Sequence, residues 1–121
     1  MCWADRFSHK KHAPLKMECV TCHATSETGE RAGFPPNEKC AVCHQGVEQP
    51  EPRRLYRVAD FVFFSHARHR AAKLPCAACH GDVAARDAPR LHYPTTMKAC
   101  IGCHKAHRAG VSCNLCHELN Q

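Results

Sequence analysis

Apolar residues along this chain come in short clusters separated by proline-bearing breaks. Gly33-Phe34-Pro35-Pro36 is one break, the surroundings of Pro89 and Pro94 form another, and Glu48-Gln49-Pro50-Glu51-Pro52-Arg53-Arg54 is a polar stretch whose prolines exclude a continuous helix. Only short helices fit between them, and they are expected after two closely spaced histidine pairs and around several Cys-x-x-Cys turns. The run Val58-Ala59-Asp60-Phe61-Val62-Phe63-Phe64 is β-prone, and reads as a strand or extended segment with room for one half of a short β-hairpin. No stretch of eighteen apolar residues exists to span a bilayer. The pattern predicts a compact, mostly α fold with little regular secondary structure.

A chain of 121 residues buries only a modest apolar core, so something besides side chains must organise it. Eleven Cys and eleven His point to what that is. Ten of the Cys fall in five copies of Cys-x-x-Cys-His: Cys19/Cys22/His23, Cys40/Cys43/His44, Cys76/Cys79/His80, Cys100/Cys103/His104 and Cys113/Cys116/His117. Two thiols on a single turn can bond the two vinyl groups along one haem edge, and the imidazole that follows is placed to ligate the iron. A zinc framework has no use for a His after every second Cys, and five Cys pairs do not divide into four-thiolate sites. A disulfide framework explains neither the His nor the odd thiol, Cys2. The motifs therefore predict five covalently bound haem c groups, with a haem core in place of an apolar one.

Five proximal His leave six others: His9, His12, His66, His69, His92 and His107. Five irons need five distal ligands, so every iron can be closed by two His. His9 with His12, and His66 with His69, are three apart and share one face of a helix. All four are expected to ligate, as is His92 in its proline-bounded loop. His107 is the expected spare, because the short segment from His104 to Cys113 is pinned at both ends. Met17 and Met97 are expected to pack against porphyrin.

Phe7-Ser8-His9-x-x-His12 followed by Cys19-x-x-Cys22-His23 recurs as Phe64-Ser65-His66-x-x-His69 followed by Cys76-x-x-Cys79-His80, at a constant offset of 57 that also matches Lys16 to Lys73. This marks a duplicated unit. The expected organisation is a two-haem module over residues 5–47, a linker over 48–59 and a three-haem module over 60–118. The formal charge of +6 would fall to roughly +1 with ten propionates and five ferric centres added, which disfavours nucleic acid as a partner.

The Phe-x-His-x-x-His cassette and the attachment motifs after it resemble class III multihaem cytochromes c, the cytochrome c3 and c7 group, most closely in the second module. Ala32-Gly33-Phe34-Pro35-Pro36 through Cys40, and Asp60-Phe61-Val62-Phe63-Phe64, also look like the multihaem subunit of alternative complex III, a weaker likeness. The resemblance implies that the first His of each pair serves the haem attached just after it and the second His serves the next. That assigns His9 to Cys19/Cys22, His12 to Cys40/Cys43, His66 to Cys76/Cys79 and His69 to Cys100/Cys103, with lone His92 completing the site of Cys113/Cys116.

Closed bis-His sites favour electron transfer at low potential over substrate chemistry at iron, so no catalytic residue is expected. A pentahaem reductase would need an open haem, and little of the chain is left to build a substrate pocket. The expected role is an exported periplasmic or extracellular carrier or wire, soluble or peripherally attached to a membrane, whose export signal has been removed. Expected partners are other redox proteins, including a membrane quinol-oxidising or reductase complex, with a filament or assembly subunit as the structural alternative.

Overall fold

The computed structural model describes residues 7–46 and 54–117; Cys2 and residues 48–53 of the expected linker lie outside them. Among the described residues the helices are α1 (His9–His12), α2 (Cys19–Cys22), α3 (Asn37–Ala41), α4 (His66–Ala71), α5 (Cys76–His80), α6 (Met97–Ala106) and α7 (Cys113–Cys116). Single 3₁₀ turns at Ala13–Leu15 and Val83–Ala85 complete the set. Only α6 exceeds two turns. The mostly helical, loop-rich class expected from the sequence is the class observed.

The helices start at the histidine pairs rather than after them, because a serine caps each one. Ser8 Oγ accepts from the Lys11 N–H at 3.2 Å, and Ser65 Oγ accepts from the Arg68 N–H at 3.3 Å, each satisfying an otherwise orphaned first-turn donor. Both segments then stop on a lysine in the left-handed region, Lys16 at φ 52° and Lys73 at φ 64°. The Lys16 N–H donates to the Ala13 carbonyl and the Lys73 N–H to the Arg70 carbonyl, the same bond at the same offset. The repeated residues thus form the same local structure twice.

No strand or hairpin forms among the described residues. The apolar run makes an isolated antiparallel bridge, Val62 to His117, with the Phe63 N–H donating to the Cys116 carbonyl at 2.6 Å. Its backbone partner is the last attachment motif, so the run has no second strand to pair with. Side chains alone build no apolar core: the buried described residues are Ser8 and Ser26, while large apolar side chains such as Leu15, Phe61 and Met97 stay exposed. What the elements do is bring pairs of imidazoles within a little over 6 Å of each other.

Candidate haem sites

In four of the five attachment motifs both thiols stand on one helix: Cys19 and Cys22 on α2, Cys76 and Cys79 on α5, Cys100 and Cys103 on α6, and Cys113 and Cys116 on α7. The second motif departs from the expected arrangement. Cys40 is on α3, but that helix ends at Ala41, so Cys43 falls outside it, in the turn that follows, and is exposed. Both α3 and α6 start three residues before the first Cys of their motif, but α3 stops one residue after Cys40 whereas α6 runs past Cys103 to Ala106. The Cys40 carbonyl then accepts from the Cys43 N–H at 3.2 Å and from the His44 N–H at 2.8 Å, a tightened last turn that keeps Cys43 one turn along from Cys40. The helical setting expected for this Cys-x-x-Cys pair is thus corrected for Cys43 to a helix-terminal turn.

Four of the five expected imidazole pairs meet. Ring centres stand 6.4 Å apart for His9 and His23, 6.0 Å for His12 and His44, 6.4 Å for His66 and His80, and 6.2 Å for His69 and His104. The first and third pairs are nearly parallel, at 18° and 2° between planes. Direct stacking would be closer. Two axial bonds of about 2.0 Å, with each ring centre roughly 1.1 Å behind its nitrogen, require a little over 6 Å. The residues present therefore fit an iron held between the two rings of each pair.

Ring orientation is fixed from behind. Nδ1 of His12 lies 2.8 Å from the Ser8 carbonyl, that of His23 2.6 Å from Gly33, that of His66 2.9 Å from Glu30, that of His69 2.7 Å from Ser65 and that of His104 2.6 Å from Gly110. A carbonyl can only accept, so Nδ1 carries the proton in each and Nε2 is left as the free donor atom. The carbonyl partners of His12 and His69 are the residues that cap their own helices, so one serine sets both the start of the helix and the ring of its second histidine.

Electrostatics favour the same neutral form. Burial, then the neighbouring His23 and His12, push the His9 imidazole below its ordinary value, and burial, then His66 and His23, do the same to His80. Burial raises the thiols of Cys19, Cys79 and Cys100, with nearby thiols adding to the effect. Among the described residues no three His, Cys, Asp or Glu side chains converge as a zinc centre requires.

A phenylalanine stands between the two rings of each pair helix. Phe7 stacks on His12 at 4.4 Å and meets His9 edge-on at 4.8 Å, while Phe64 stacks on His69 at 4.5 Å and meets His66 edge-on at 5.0 Å. Each phenylalanine thus braces both histidines of its helix.

The fifth expected pair is not brought into ring contact. His117 packs edge-on against Phe61 at 5.8 Å and its buried Nδ1 has no hydrogen-bond partner, while the His92 ring lies against Gly81. His107 is exposed at the C-terminal end of α6, where its N–H donates to the Cys103 carbonyl.

Tyr56, Tyr93 and Gly81 carry no signal in the sequence, yet they build the surroundings of the third motif. The Tyr56 ring meets His80 edge-on at 4.5 Å; its hydroxyl donates to the Cys79 carbonyl at 3.0 Å and accepts from the His92 N–H at 2.8 Å. The Tyr93 N–H reaches the same Cys79 carbonyl, and its hydroxyl donates to Ala99. Gly81 sits at φ 71°, ψ −162°, a conformation essentially reserved for glycine, and it lets the His92 ring approach the α5 terminus. Only a Gly directly after the His could have hinted at that.

No curated protein matches the chain. The family model for cytochrome c3 does match, over residues 11–90, a span that takes in the first three attachment motifs and the second histidine pair. A match over more than half of the chain, on the segment where imidazoles face each other across the spacing an iron needs, settles the kinship: the chain belongs to the cytochrome c3 family, multihaem c-type cytochromes that bind haem covalently and transfer electrons.

Proposed function

We propose that this cytochrome binds five haem c groups, each iron closed by two histidines, and serves as a periplasmic electron carrier or wire between redox proteins. The observation that carries this reading is the set of four imidazole pairs facing across 6.0 to 6.4 Å. The thioether tethers are Cys19/Cys22, Cys40/Cys43, Cys76/Cys79, Cys100/Cys103 and Cys113/Cys116. The axial pairs are His9 with His23, His12 with His44, His66 with His80, and His69 with His104. His92 with His117 is the fifth pair, as the resemblance to class III cytochromes implies, which leaves His107 as the spare histidine.

When bound, the haem irons supply one-electron exchange between the ferric and ferrous states. The protein positions them. Backbone carbonyls hold the imidazoles in one tautomer and one orientation, which limits rearrangement when the iron changes charge. Ten His ligands on five irons leave no coordination position for a substrate, which favours a carrier over an enzyme and lowers potentials relative to Met ligation. Arg and Lys side chains are available to pair with propionates and tune each site.

The repeat supports a two-haem module over residues 5–47, a linker over 48–59 and a three-haem module over 60–118. Covalent haem attachment is a property of exported cytochromes, so the chain acts outside the cytoplasm. Its partners are then redox proteins there, including membrane quinol-oxidising or reductase complexes. No helix among the described residues is long and apolar enough to cross a membrane.

Intact-mass measurement under denaturing conditions, paired with a potentiometric titration, tests the reading. The expected mass is that of the polypeptide plus five additions of about 616 Da, with five one-electron steps all below the range of Met-ligated cytochromes c. Four additions, or a step in the Met-ligated range, would refute the proposal.

A further inference from the structure

The two repeats touch each other reciprocally. The Ala67 N–H donates to the Gly29 carbonyl at 2.9 Å, and the Lys10 N–H donates to the Arg86 carbonyl at 3.0 Å. Adding the repeat offset of 57 to Lys10 gives Ala67, and adding it to Gly29 gives Arg86, so one bond is the image of the other with the repeats exchanged. A second set flanks it. The His66 N–H donates to the Glu30 carbonyl at 3.0 Å, and the Ser8 hydroxyl donates to the carboxylate of Asp87, the equivalent of Glu30, at 2.8 Å. Residue i meeting j while j's counterpart meets i's is the signature of an isologous interface, the kind that relates two subunits by a two-fold axis. A head-to-tail succession of repeats cannot produce it.

On such an axis, equivalent residues must meet their own counterparts, and they do. Cys19 and Cys76 are equivalents and line one cleft of about 290 Å³ together with Glu27 and Arg70. Arg70 of the second repeat closes that cleft on Glu27 of the first, 3.3 Å away. We infer that the two repeats pair head to head about this pseudo-two-fold axis, setting the motif of Cys19/Cys22/His23 directly against that of Cys76/Cys79/His80.

The other motifs then lie outward on either side. Each pair helix sends its first histidine to the motif at the axis and its second, three residues on, to the next motif out: His12 to His44 on one side, His69 to His104 on the other. Tyr93 joins motif three to motif four, its N–H on the Cys79 carbonyl and its hydroxyl on the Ala99 carbonyl, and Gly110 joins four to five, its carbonyl on His104 Nδ1 and its backbone against Leu115 of α7. Numbering the motifs by sequence, their order in space is two, one, three, four, five. The ends are Cys40/Cys43/His44 and Cys113/Cys116/His117. This deduction rests on the five-haem reading.

Nuclear Overhauser spectra of the fully reduced, diamagnetic holoprotein test the pairing, with each haem assigned through its own His→Met variant. Cross-peaks are expected between haem protons of motifs one and three, and none between motifs two and three. Cross-peaks between two and three, without any between one and three, would overturn the inference. The five-haem reading fails separately, by intact mass: a missing haem at motif two, four or five would refute the count while the contact of motifs one and three still decides the pairing.

Discussion

The two copies of the His-x-x-His cassette make the same bonds, yet they sit in different surroundings. In both, a serine caps the helix, its carbonyl holds the second histidine, a phenylalanine braces both rings and a left-handed lysine ends the segment. Around the first attachment motif of the second copy, Tyr56, Tyr93 and Gly81 add a shell, and Arg86 donates to the carbonyls of His80 and Arg90. The first copy holds its motif histidine more simply, His23 Nδ1 donating to the Gly33 carbonyl. Burial lowers the pKa of His9 in the first copy and of His80 in the second. Imidazole placement is thus a local property that duplicates with its sequence. The environment that tunes a site is assembled from elsewhere in the chain and diverges.

If that division is right, removing a cassette ligand should have the same large effect in either copy. His9→Ala and His66→Ala are each expected to turn one of the five ferric haems high-spin and to make one ferrous haem bind carbon monoxide, as seen by electronic absorption and electron paramagnetic resonance. An effect in one copy and none in the other would show that the cassettes are not equivalent.

Glycine substitutions should separate the copies. Gly46, at φ 72°, has nothing within 4 Å of an added Cβ, so Gly46→Ala should cost about 1 kcal/mol of stability from backbone strain alone. At Gly81 the same Cβ would stand 2.9 Å from His92 Cγ and 2.7 Å from an Arg86 guanidinium nitrogen. Gly81→Ala should therefore cost roughly 2 to 4 kcal/mol in denaturant unfolding and displace His92, with one haem partly high-spin. Equal costs at the two positions would mean that His92 is not held by that contact.

Smaller effects are expected from the added shell. Tyr56→Phe removes a hydroxyl that bridges Cys79 and His92, and should lower stability by about 1 to 2 kcal/mol without changing any spin state. Smallest is the cross-repeat ion pair of Arg70 with Glu27, 3.3 Å apart and partly exposed. Glu27→Gln should change stability by less than about 1 kcal/mol, with the loss shrinking further in high salt.

The motifs, the histidine pairs and the duplicated cassette were legible in the sequence because each is short-range: a thiol pair three positions apart, two histidines on one helical face, a serine one residue before them. The mostly helical, loop-rich class followed from the proline breaks. The position of a helix end was harder to read: α3 stops at Ala41, before Cys43, although its motif is identical in spacing to the other four. Illegible were features made by distant segments. The Val58–Phe64 run reads as half a hairpin, but its bridge is to His117, a partner that no local pattern announces. Tyr56 reaches Cys79 and His92 across 23 and 36 residues. The reciprocal bonds between repeats follow from the offset only once the two halves are seen to face each other.

The central claim is that every iron in this cytochrome is closed by two histidines. Exposure of the fully reduced, unmodified holoprotein to carbon monoxide tests it directly: the account predicts an unchanged absorption spectrum and, on reoxidation, five low-spin ferric haems. A carbon monoxide adduct at even one haem would contradict it.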